Sequence, residues 1–339
     1  MPRRSWIRRL AGVALALLVL AAVAWSVDGA VLRAALEGAS WVGLGVAGLA
    51  YMPAWGMRGW RWQMLAEDLG DRVPLGPAVA TATVGNMLNL LLPAKAGDLL
   101  WANAATARWG VPYGRAVVGV LAGRVLDLVV LTGMGAAALA VIPGGSERFG
   151  AAVAASAVAG GAAMLAGWWV FVRLRAGRAV LRGPLARLGG IHDALIEPTA
   201  TLTARPARAV RHLGTTALIW LNEGLIAWLC ARALGLALPF PAIVFAIMVA
   251  NLSKILPLTP ASFGTYEAAG ALALGAAGLG YTEAFAVMLA EHVLKNTVNL
   301  ALGILGMALT EVPVLDVDLP RLRAAWTQSV SVTPPRDAA

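Results

Sequence analysis

Long apolar runs alternate along the chain with short polar stretches, most of them basic, and that alternation predicts a bundle of membrane helices. The mainly apolar segments cover residues 10–27, 41–57, 116–142, 151–172, 215–234 and 284–309. At about 1.5 Å of rise per residue, they are close to the ~20 residues a helix needs to cross hydrocarbon. None shows the roughly ten-residue alternating pattern of a barrel strand, so an outer-membrane barrel is excluded. Composition agrees: 59% of residues are hydrophobic, 13% are charged, and the mean hydropathy is +0.74. No water-soluble fold hides that much apolar surface. The expected fold is an all-α polytopic membrane protein with about six full transmembrane helices.

Two further apolar stretches interrupt the series, and they read as copies of one unit. Pro77 and Pro93 stand sixteen residues apart, as do Pro241 and Pro257. Each interval carries asparagine (Asn86 and Asn89 in one, Asn251 in the other) and closes on Leu-Pro. A glycine with a carboxylate at or just past it follows, Gly97-Asp98 in the first copy and Gly264 with Glu267 in the second. The likeness resumes at a constant offset of 168 residues, where Gly110, Tyr113 and Leu121-Ala122 fall over Gly278, Tyr281 and Leu289-Ala290. The repeats span about residues 77–142 and 241–310, within a transmembrane domain over residues 1–311.

Charge sets the orientation. Arg3, Arg4, Arg8 and Arg9 precede the first run, and Arg58, Arg61 and Arg72 follow the second. Residues 173–213 form the most basic stretch, with eight arginines against Asp193 and Glu197. By the positive-inside rule all three are cytoplasmic. The first unit must then cross an even number of times, and sixteen residues make a short span. A re-entrant helical hairpin turning at Pro93 and Gly97 satisfies both conditions. Three crossings separate it from the second hairpin, which turns at Pro257, Pro260 and Gly264 and enters from the opposite side. The topology is an inverted repeat with both termini cytoplasmic. Residues 312–339 form a polar, proline-bearing tail. A cleaved signal peptide competes with a retained anchor for residues 10–27.

The net charge of +9 is explained by these basic loops, and nucleic acid is not an expected partner. Of the 27 basic residues only three are lysine, and Lys95, Lys254 and Lys295 all fall in the repeated units. The lone Cys230 and three scattered histidines offer no metal site, and no cofactor motif stands out.

Ionisable groups inside apolar segments cost a few kcal/mol each, so they face partners or a polar path. The first unit supplies Asn86, Asn89, Lys95, Asp98, Arg124 and Asp127. The second supplies Asn251, Lys254, Glu267, Glu291, His292, Lys295 and Asn296, and the segment before it supplies Glu223. These residues fit a central pathway for an anionic lipid headgroup. Arg124–Asp127 and Glu291–Lys295 equally fit structural ion pairs, and the asparagines fit helix caps. Arg58 and Arg61 read as snorkelling cations beside an aromatic belt of Trp55, Trp60 and Trp62.

Arg58-x-x-Arg61-Trp62, Asn89-x-x-x-Pro93-x-Lys95-x-Gly97-Asp98, Arg124-x-x-Asp127 and Pro257-x-Thr259-Pro260-x-x-x-Gly264-x-x-Glu267 resemble, in order and spacing, the flippase-like transmembrane region of lysylphosphatidylglycerol synthases. The chain departs from that pattern at Trp101, Gly123 and Glu291-His292. The resemblance implies an inner-membrane protein that moves a lipid or lipid-linked headgroup between leaflets, rather than an enzyme. Two alternatives remain open. One is a membrane-embedded glycosyl- or acyltransferase acting on a polyprenyl or phospholipid. The other is a non-transporting scaffold for envelope biosynthesis that recruits a lipid-biosynthesis partner protein.

Overall fold

The structure, a computed structural model, describes residues 37–91, 97–142, 206–254, 260–275 and 277–310. The runs at 10–27 and 151–172, the basic stretch up to residue 205, Pro93, Lys95, Pro257 and the tail over 312–339 lie outside the described residues.

All regular structure among the described residues is helical. Helix α1 spans Trp41–Ala50 and α2 spans Met52–Asp68. Helices α3 (Leu75–Leu91) and α4 (Gly97–Trp109) precede the long α5 (Tyr113–Val141). Helix α6 covers Pro206–Ala233; α7 (Phe240–Ser253), a 3-10 turn (Pro260–Ser262) and α8 (Thr265–Gly275) precede the long α9 (Tyr281–Thr310). Three of these, α5, α6 and α9, are long and apolar enough to cross a membrane. By contrast α3, α4, α7 and α8 would reach only about 17–26 Å at 1.5 Å per residue, short of the ~30 Å hydrocarbon core.

Helix α7 explains the centre of the bundle. It is apolar all round, and Ala242 through Met248 are buried without a break. A helix with no polar face must be enclosed, and α7 is packed by α5, α6 and α8. The short helices also pack in pairs, α3 with α4 and α7 with α8. Helix α3 lies along α9, and α4 lies along α5. Small residues let α3 and α9 approach: a Cβ on Gly303 would overlap Met87, and one on Gly306 would come within 2.7 Å of the Thr83 hydroxyl.

Two glycines shape the starts of α4 and α8. Gly97 opens α4 in tight contact with α3, where a Cβ would strike the Gly85 carbonyl and Asn89. Its requirement is close approach, since it takes helical rather than left-handed backbone. Gly264 does need the left-handed region, with φ +83°. It follows Ala261 and Ser262, which hold φ of 49° and 62° without being glycine. That strained turn, which holds about 1–2 kcal/mol per residue, leads the chain into α8.

The hydropathy reading needs three corrections. The run at 41–57 is two helices broken at Tyr51, because Pro53 begins a new helix rather than continuing the old one. Arg58 and Arg61 therefore sit within α2 instead of in a loop beyond it. Arg61 is buried, so it does not snorkel, and Trp55 and Trp62 are core residues rather than part of an interfacial belt; only Trp60 is exposed. Finally, α6 begins well before residue 215 and takes in Arg208 and Arg211, which both pair with Asp68 of α2.

Candidate functional site

Two linked clusters of ionisable side chains occupy the interior. The first surrounds Asp127 on α5. Arg61 donates to both its carboxylate oxygens, at 2.7 and 3.3 Å, and the Trp220 indole of α6 donates at 3.1 Å. Arg61 also donates to the Thr216 hydroxyl at 2.9 Å. One turn before Asp127, Arg124 reaches across to α4 and grips Asp98 through two bonds of 2.8 and 2.6 Å. Bidentate arginine–carboxylate pairs of this kind are among the strongest polar contacts a protein makes. The Asn89 amide of α3 donates to the same Asp98, at 2.7 Å. Arg124 is 3.7 Å from Asp127, so its closer partner lies on another helix. The Arg124 side chain is 37% exposed, which leaves this cluster partly open.

The second cluster surrounds Lys295 on α9. Its ammonium donates to Glu223 of α6 at 2.7 Å and to the Tyr266 hydroxyl of α8 at 3.2 Å, and it pairs with Glu291 one turn earlier. Tyr266 in turn donates to Glu291 at 3.0 Å. Arg58 of α2 completes the shell around Glu223, at 2.6 Å. Beside this cluster His292 meets Glu267 at 2.6 Å, and Glu267 also accepts from the Gly264 amide at 2.6 Å. Lys254 lies 3.9 Å from the centre of the Tyr266 ring, a cation–π contact. Glu267 and Glu291 are fully buried and Lys295 is 4% exposed, so these charges are sealed from solvent.

Helices α2 and α6 join the clusters. Arg58 and Arg61 are a turn apart on α2, and Trp220 and Glu223 are three residues apart on α6. Each helix thus contributes to both clusters. Arg58 stacks 4.9 Å over the Trp55 ring and stands 6.0 Å from that of Trp220.

Of the remaining candidates, Asn86 lines a cleft beside the Asp127 cluster. Asn251 donates back to the Ile247 carbonyl of its own helix, at 2.8 Å. The Asn296 amide nitrogen is buried with no hydrogen-bond partner among the described residues. Residues 93, 95 and 257 lie outside the described part; Pro260 heads the 3-10 turn.

Sequence reasoning did not place Arg58, Arg61, Thr216, Trp220 or Tyr266 at the site. Two signals were available. Arg58-x-x-Arg61 has the one-turn spacing of a helix face, and Glu223 stands in an apolar run with no basic neighbour in sequence.

The cleft is bounded by α2, α3, α4 and α5 and encloses about 40 Å³. Arg58, Arg61, Arg124 and Asp127 line it, with Trp55, Trp62 and Trp101 as aromatic walls. Arg58 Nη1 and the indole nitrogens of these three tryptophans are buried and have no hydrogen-bond partner among the described residues. Each such donor costs about 1–3 kcal/mol unless something accepts from it.

Residues 9–303 match the family described as the lysylphosphatidylglycerol synthase TM region. The chain belongs to this family. It is an α-helical membrane protein, as the three long apolar helices and the family together indicate. The family member is also 27% identical, over 336 residues, to a Haloferax volcanii protein called Glycosyltransferase AglD. The match takes in 88% of this chain and 54% of that protein, so the chain spans about half the length of this relative.

Proposed function

We propose that this family member moves an anionic phospholipid or lipid-linked headgroup between the leaflets of the cytoplasmic (inner) membrane. The observation that carries the reading is the run of charge through the bundle interior, from Asp98 and Arg124 through Asp127 and Arg61 to Arg58, Glu223, Lys295 and Glu291. Ionisable groups within membrane helices are costly and mark substrate paths when they face a cavity. One end of this run lines a cleft.

The transport reading takes residues 77–142 and 241–310 as two inverted copies of one unit, each a hairpin followed by a spanning helix. Helix packing supports it. The first helix of each pair packs on the other unit's long helix, α3 on α9 and α7 on α5, while the second packs on its own, α4 on α5 and α8 on α9. A pseudo-two-fold axis between repeats generates such an exchange, and transporters of this build bind substrate at the repeat interface. Both termini face the cytoplasm in this arrangement.

The test is leaflet exchange of a labelled anionic phospholipid in vesicles carrying the purified protein. The wild type exchanges lipid faster than protein-free vesicles, and Arg124→Ala loses that activity while remaining folded. Exchange no faster than in empty vesicles would sink the reading. A second reading, a membrane-embedded glycosyl- or acyltransferase, is favoured by the name of the Haloferax relative. It requires that the lipid be chemically changed when the protein is incubated with labelled donors, which a transporter does not do.

A further inference from the structure

We propose that the cleft between α2, α3, α4 and α5 binds a phosphate-type oxyanion that carries no amine, held by Arg58, Trp55, Trp62 and Trp101. The proposal deepens the transport reading and rests on it for the ligand being lipid-borne.

The hydrogen-bond inventory of the cleft carries the inference. Among the described residues that line it, each side-chain atom that is buried without a partner is a donor: Arg58 Nη1 and the indole N–H groups of Trp55, Trp62 and Trp101. Guanidinium and indole have no acceptor to offer. What completes them is a group rich in acceptor oxygens. The acceptors point the same way, because they are already used. Among the described residues that line the cleft the one carboxylate is Asp127, and both of its oxygens are already engaged by Arg61 and Trp220, while Arg58 and Arg124 are paired with Glu223 and Asp98 just outside it. A headgroup ammonium would bring further donors into a space whose own donors are unfilled and whose lining carboxylate is already taken. A tetrahedral phosphate presents oxygens in several directions at once, which suits donors arriving from α2 and α4.

The packing keeps these donors in place. Trp62 and Trp101 meet edge to face, with ring centres 5.4 Å apart. Gly119 of α5 leaves room for the Trp62 ring, which a Cβ there would strike. Gly123 lies behind Arg61, whose guanidinium would stand 3.5 Å from an added Cβ. The cleft is about three times the roughly 10–15 Å³ that admits one water. Its tryptophan walls keep the surroundings apolar, where a charge-assisted hydrogen bond is stronger than in water.

Retention of lipids by the purified protein, read by native mass spectrometry, tests this. Phosphatidylglycerol has the anionic phosphate without an amine, and phosphatidylethanolamine has the same phosphate with one. Phosphatidylglycerol is expected to be retained about tenfold better. Trp62→Phe and Trp101→Phe each remove one N–H and weaken its retention about fivefold, the worth of a neutral hydrogen bond. Arg58→Gln weakens it by about tenfold or more, since the lost bond is charge-assisted. Trp101 is less deeply buried, so Trp101→Phe keeps the test valid if Trp62→Phe fails to fold. Inorganic phosphate, titrated calorimetrically, separates the sources: binding that weakens in the same variants supports the oxyanion site with a soluble occupant. Equal retention of the two lipids, or affinity unmoved in every variant, overturns the proposal. Leaflet exchange is measured separately. Retention of phosphatidylglycerol without exchange overturns transport alone, and exchange without discrimination between the lipids overturns this site alone.

Discussion

The clusters around Asp127 and Lys295 use the same kinds of side chain and differ in what can reach them. Around Lys295 the carboxylates Glu223, Glu267 and Glu291 are all buried, and each has a cation, an imidazole or a backbone amide against it. Around Asp127 the pairs are as short, but Arg124 is over a third exposed and a cleft opens beside it. That contrast separates architecture from traffic. A sealed network ties α6, α8 and α9 together and is expensive to break. A half-open one can exchange a protein partner for a ligand.

The sealed cluster is the costlier one to disrupt. Lys295→Met leaves Glu223 with one partner and Glu291 with only the Tyr266 hydroxyl, both buried. The expected loss is about 3–5 kcal/mol, the cost of orphaning a buried charge. It is read as a lower thermal midpoint and yield in detergent, and adding Glu291→Gln restores part of it. Gly97→Ala comes next. The new methyl group must push α4 away from Gly85 and Asn89, at about 1–3 kcal/mol for overpacking. Because Asp98 is the next residue, the same substitution also loosens the Asp98–Arg124 pair and lowers leaflet exchange.

Arg124→Ala sharpens the contrast. Its site is half open and Asp98 keeps the Asn89 amide, so stability falls by less than for Lys295→Met while headgroup movement is lost. A collapse in stability as large as that of Lys295→Met would erase the distinction between the clusters.

The smallest effect lies outside the membrane segments, in the loop before α3. Burial raises the Asp71 carboxyl above its ordinary range, and Arg115 only partly opposes it. The folded state therefore holds the proton more readily than the unfolded one. Stability falls as pH rises from the unfolded value, about 3.9, through the raised one. Asp71→Asn flattens that slope and shifts neutral-pH stability by less than any of the substitutions above, since the ion pair it loses is with the half-exposed Arg115. Thermal midpoints measured from pH 3 to pH 7 check it.

Much of the helical layout was legible because hydrophobic length is a local property. The runs at 116–142, 215–234 and 284–309 became α5, α6 and α9 with shifts mainly at their starts. The error at residues 41–57 came from treating two arginines as the end of a span. An arginine is read as interfacial unless a partner is known, and the partners of Arg58 and Arg61 lie far along the chain, at Glu223 and Asp127. Conversely, Arg124 and Asp127 have a pairing distance in sequence, yet Arg124 binds Asp98 more closely because α4 packs against α5.

By itself, then, the sequence determined that this is a membrane bundle, which family pattern it carries, and which charged residues stand in apolar surroundings. Each follows from composition and spacing along one chain. The tertiary structure decided which charges meet, because ion pairing depends on distances between helices that spacing along the chain does not encode. It alone put Trp55, Trp62 and Trp101 around one cleft with their donors unfilled. A tryptophan beside an arginine reads the same at an interface as in a core, and only the packing of α2 against α3 and α5 separates the two.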